Sequence, residues 1–74
     1  MPKVQLNITY KGKYSYLTDP AIINVTQLND YYKVVDKVTK GESNSLKVTI
    51  NKIDTYFPKK FLNHCFLSVI ILEE

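Results

Sequence analysis

Val4, Leu6, Ile8 and Tyr10 alternate with Gln5, Asn7, Thr9 and Lys11. Period-two alternation predicts a strand with one apolar face. Lys11-Gly12-Lys13 reads as a turn, because Gly12 can take positive φ. Tyr14 to Leu17 then returns as a second strand. Two registers are open. A two-residue turn at Lys11-Gly12 sets Leu6 against Leu17 and sends Tyr14 and Tyr16 to the polar face. A three-residue loop, Lys11 to Lys13, sets Tyr10 against Tyr14 and Ile8 against Tyr16, and the tyrosines join the core. A slip of one residue moves the whole set.

Thr18-Asp19-Pro20 breaks the second strand, since Pro20 lacks an N–H and restrains Asp19. Asn24 to Gly41 predicts a helix. Val25, Leu28, Tyr32, Val35 and Val38 recur at spacings of three and four, and Val34 falls off that stripe. Asn24 and Gln27 suit a capping box, with Ile23 and Leu28 as a hydrophobic staple. Lys37 and Lys40 complement the dipole, and Gly41 suits the left-handed C′ position. Valine and tyrosine content makes a strand the competing reading of residues 26–40.

After the polar loop Gly41 to Ser45, Leu46, Val48 and Ile50 alternate as a third strand, with a bulge or its end at Ile53. Pro58 can open a helical turn through Leu62. Cys65 to Leu72 is short, β-branched and apolar on both parities, which predicts a strand buried on both faces and central in the sheet. A helix running on from Pro58 is its competitor. The expected fold is α+β, in the order β-β-α-β-β. It is a small antiparallel or mixed sheet with one helix packed on a face. A mostly-β small barrel is the alternative.

Composition narrows the function more than the fold. Seventy-four residues make one small domain with a modest core, so self-association or a partner is a source of further stability. Cys65 and His64 are the only cysteine and histidine, which leaves neither a disulfide nor a metal-ligand spacing. Consecutive side chains diverge in strand and helix alike, so the two do not form a nucleophilic dyad. Asp30 and Asp36 have simple helix roles, and Gly12 and Gly41 make no phosphate loop. No enzyme, cofactor or metal is expected. The N-terminus shows no secretory signal, and the run from Cys65 is too short to span a bilayer. A cytoplasmic protein without membrane association is expected, with the N-x-T sequons at Asn7 and Asn24 fortuitous.

The charge is +3, from ten lysines and no arginine against seven acids. Lysine offers a point charge, whereas arginine supplies the bidentate fork that reads guanine and clamps phosphate. Abundant Lys, Asn, Ile and Tyr without Arg or Trp also reflects AT-rich coding. Two binding surfaces emerge. Tyr10, Lys11, Lys13, Tyr14 and Tyr16 form a tyrosine-rich hairpin suited to a protein partner. Lys33, Lys37 and Lys40 on one helix face, with Lys59 and Lys60, would serve single-stranded nucleic acid together with stacking tyrosines.

The run Val25-Thr26-Gln27-Leu28-Asn29-Asp30-Tyr31 is similar to a helix opening in exonuclease VII large subunits. It carries no catalytic residue and implies only that a helix begins there. In size and composition the chain resembles small AT-rich products of phages and mobile elements. That likeness implies a non-enzymatic interaction module, an inhibitor that occludes a host defence protein or ribonucleoprotein. A small single-stranded nucleic-acid-binding accessory protein is the alternative. A homodimer is compatible with both.

Overall fold

The computed structural model describes residues 1–42 and 44–73. Ser43, which falls within the polar stretch Gly41 to Ser45 expected from sequence, and Glu74 lie outside them. The order is β1 (Lys3–Tyr10), β2 (Tyr14–Leu17), β3 (Ala21–Ile22), α1 (Val25–Thr39), β4 (Ser45–Ile50), β5 (Ile53–Pro58), α2 (Lys59–Leu62) and β6 (Cys65–Glu73). The α+β class stands, with six strands in antiparallel sheets and one main helix among the described residues. No closed barrel forms among the described residues. Two strands were not expected. β3 is only a pair of residues, and β5 begins at Ile53, where the alternation of β4 gives out.

β1 is the spine. It pairs with β2 and β3 along one edge and with β6 along the other. Val4, Leu6 and Ile8 are buried on its inner face, as the alternation requires. Ile8 and Leu67 sit directly opposite each other, and Val38, Phe57 and Leu62 close over them. The core therefore lies between the inner face of the four-stranded sheet, α1 and the β4–β5 hairpin. Val34, Val35, Leu46, Val48 and Ile50 pack at its margin.

α1 begins where its cap chemistry says. Asn24 Oδ1 accepts from Gln27 N–H at 2.8 Å, and Gln27 Oε1 accepts from Asn24 N–H at 3.0 Å. At the far end Gly41 has φ 73°. Gly41 N–H donates to Val38 C=O and Glu42 N–H to Lys37 C=O, which completes a Schellman motif. The buried face is rotated from the expected one. Tyr31 and Val34 turn inward with Leu28, Val35 and Val38, whereas Val25 and Tyr32 are exposed. Adjacent tyrosines and adjacent valines leave two stripes of similar apolarity. The sheet beneath the helix selects one of them.

The larger correction concerns β6. Among the described residues it is an edge strand, paired with β1 alone, and Phe66 on its outer face is 66% exposed. The helical continuation from Pro58 stops at Leu62. His64 N–H donates to Phe61 C=O, and β6 starts one residue later.

The break at Thr18 to Pro20 is also a joint. Leu6 N–H donates to Thr18 Oγ1 at 2.8 Å and Thr18 N–H to Leu6 C=O at 3.0 Å, so Thr18 carries the edge of β1 from β2 towards β3. Asp19 reaches the other sheet. Its N–H donates to Thr49 C=O, and its two carboxylate oxygens accept from Asn51 and Lys52 N–H, each at 2.8 Å. Asn51 and Lys52 have φ 53° and 65° and form the two-residue tip between β4 and β5.

Candidate functional site

Tyr10 pairs with Tyr14 and Ile8 with Tyr16, so the three-residue register is the one adopted. Tyr10 C=O accepts from Lys13 N–H at 3.0 Å, and Lys11 and Gly12 take φ 52° and 70°. Gly12 bears this at no steric cost, while Lys11 tolerates it in an exposed tip. This register places Tyr10 and Tyr16 on the same face as the core residue Ile8.

α2 brings a second segment to the same end. Phe61 stacks on Tyr10 with centroids 4.2 Å apart and planes 4° from parallel, and on Phe57 at 5.1 Å. Tyr16 leans on Phe57 at 6.0 Å and Phe61 at 6.4 Å. Lys11 N–H donates to His64 C=O at 2.9 Å, which ties the hairpin tip to the start of β6. His64 meets Tyr10 edge-on at 6.3 Å, and Lys11 Nζ lies 5.3 Å from the Tyr10 centroid. Such contacts are each worth about 0.5–1.5 kcal/mol beyond burial, so the tip is a rigid extension of the core.

The expected protein-binding residues thus fall into two roles. Tyr10 is half-buried structure. Tyr14 is 59% exposed and Tyr16 38%, flanked by the exposed Lys11 and Lys13. Lys59 and Lys60, assigned by sequence to a nucleic-acid surface, stand on α2 beside Phe61 and so join this end. The two segments, residues 10–16 and 58–66, carry no acidic residue. The helix lysines are not brought into it by any contact among the described residues. Lys40 pairs with Asp36 at 3.1 Å, and Lys33 and Lys37 are exposed on α1.

Phe57 and Phe61 were not singled out as site residues. Their clue was present in the aromatic spacing around Pro58, but only the fold of α2 against the hairpin gives it meaning.

Cys65 and His64 do not meet. The Cys65 thiol donates to Phe61 C=O at 3.2 Å, and burial pushes its pKa above the usual cysteine value. A protonated thiol held by a carbonyl is a poor nucleophile. Among the described residues no group of three or more His, Cys, Asp or Glu could hold a metal ion. An open cleft of about 470 Å³ lies between α1, β4 and the Thr18–Ala21 joint, walled by Leu6, Tyr31, Val34, Leu46 and Val48. Its charged groups are already engaged: Asp19 holds the Asn51-Lys52 tip, and Lys47 pairs with Asp54 at 3.7 Å.

The fold defines a small α+β protein with an aromatic, lysine-ringed end. Comparison with protein-family models, curated proteins and solved structures finds no match to the chain. No helix among the described residues is long and apolar enough to cross a membrane.

Proposed function

We propose that this chain is a non-enzymatic interaction module that docks the end built by the β1–β2 hairpin and α2 onto an acidic protein surface. The observation that carries this reading is the Tyr10–Phe61 stack. It brings Lys59 and Lys60 to the end that already holds Lys11, Lys13, Tyr14 and Tyr16. Tyrosine supplies contact area at low entropic cost, and a rigid platform lowers the cost of binding further. Lysines without an acidic neighbour in their own segments favour a partner of opposite charge. The likeness in size and composition to phage and mobile-element products makes a host defence protein or ribonucleoprotein the first class of partner to test.

Single-stranded nucleic acid is the second reading, and the same clustering of lysines around stacked rings supports it. Absence of arginine and a net charge of only +3 weigh against it.

The test has two arms. Fluorescence polarisation against short single- and double-stranded DNA and RNA, at low and moderate salt, is expected to show no saturable binding. Affinity capture from host lysate is expected to retain a protein with the wild-type chain and to lose it with Tyr14→Ala/Lys13→Gln, whose fold is unchanged. Tight binding to the oligonucleotides, falling steeply with salt, would transfer the same surface to nucleic acid. Capture that is indifferent to both substitutions would remove this end from the function.

A further inference from the structure

β6 has the composition of a strand enclosed on all sides and the position of one that is open. The hydrogen-bond phase of β1 identifies its free groups. Lys11 N–H donates to His64 C=O. That pair is in register with Tyr10↔Cys65 and Ile8↔Leu67, so His64, Phe66, Ser68 and Ile70 turn their N–H and C=O groups towards β1. Leu6, whose groups bond Thr18 on the opposite edge of β1, confirms the phase. Cys65, Leu67, Val69 and Ile71 therefore aim their backbone groups at the outer edge. Among the described residues no strand pairs there.

Unpaired edges are normally blunted by charge, proline or brevity. The other strands obey this rule. β2 has four residues and β3 two, β4 carries Lys47, and β5 carries Asp54 and ends in Pro58. From Cys65 to Leu72, β6 has neither a charge nor a proline. Its outer face adds Phe66, 66% exposed, and half-buried Ile70.

The geometry points to a second copy of this chain as the occupant, with β6 pairing antiparallel to β6 about a two-fold axis at Ser68. The regular part of the strand decides the register. It runs from Cys65 to Ile71, because the pairing with β1 shifts beyond Ile71. Centring on Ser68 matches Cys65 with Ile71 of the second copy and Leu67 with Val69, the residues whose backbone groups face outward. On the outer face Phe66 lies against Ile70 of the second copy, and Ser68 meets its own counterpart. Every apolar residue then meets an apolar one, and no charge is buried. The ends complement each other as well. Glu73, at the end of one β6, approaches the start of the other, which the basic α2, with Lys59 and Lys60, directly precedes. The sheet becomes continuous across both copies, and the two tyrosine–lysine ends point in opposite directions.

Two experiments test this. Sedimentation of the wild-type chain is expected to give the mass of a dimer. Phe66→Lys is expected to give a monomer with an unchanged far-UV CD spectrum, because Phe66 is outside the core. In a Cys65→Ser background, Ser68→Cys is expected to form a cross-linked dimer on mild oxidation. Facing residues at such a non-hydrogen-bonded position are about 4.5 Å apart at Cα, within disulfide reach. Phe66→Cys in the same background, two residues off the axis, is expected not to cross-link. A wild-type monomer at high micromolar concentration overturns the proposal and leaves the edge to a strand of another protein. A dimer that survives Phe66→Lys, or equal cross-linking at both positions, also overturns it.

Discussion

The two hairpins have tips of opposite character. The β4–β5 tip, Asn51-Lys52, is strapped from within. Asp19 holds both of its N–H groups, and the Thr18–Asp19 joint links it to the spine strand β1. The β1–β2 tip, Lys11 to Lys13, points its side chains at solvent, while the rings behind it are stacked into the core. Both tips place lysine in left-handed backbone. One tip is held by a carboxylate from the other sheet, whereas the other is tied by its own backbone bonds to Tyr10 and His64 and keeps Lys13 and Tyr14 exposed above a rigid base. Rigid scaffolds that carry unspent polar and aromatic groups are where binding surfaces are usually found.

The comparison breaks most sharply at Asp19. Asp19→Ala leaves the Asn51 and Lys52 N–H groups without their carboxylate and is expected to cost about 1–3 kcal/mol. Urea denaturation reads that loss, and partner binding at the other tip should be unaffected in the folded protein. A smaller effect is expected at the base of the free tip. Phe61→Leu keeps most of the apolar volume but removes the stack on Tyr10 and Phe57, at about 0.5–1.5 kcal/mol. Unlike Asp19→Ala, it should also weaken binding through the Tyr14–Lys13 surface. The smallest change sharpens the contrast in the other direction. Lys52→Gly relieves a side chain at φ 65° and retains the N–H bond to Asp19, so a gain of about 0.5–1 kcal/mol is expected in thermal unfolding.

Much of the fold was legible because the rules involved are local. Alternation from Val4 to Tyr10 and from Leu46 to Ile50 gave β1 and β4. The Asn24–Gln27 box and Gly41 bounded the helix, and Pro58 opened α2. What stayed hidden was decided by partners distant in sequence. Nothing near Asp19 announces that it will hold residues 51 and 52. Nothing near Lys59 and Lys60 announces a hairpin tip. The candidate site was therefore half legible: the hairpin tyrosines and lysines were visible as a group, with Tyr10 on the apolar face of β1, but α2 as the other half was not.

By itself the sequence favoured the α+β class and marked the helix caps and the apolar faces of β1 and β4. Period and capping act over a few residues and need no other element. Tertiary structure alone decided which helix stripe faces inward, which register the first hairpin takes and where β6 lies. Hydrophobicity is non-directional: an apolar run states that it must be covered but not by what. β6 is the case in point. Its sequence demanded cover on both sides, and the fold of one chain supplies it on one.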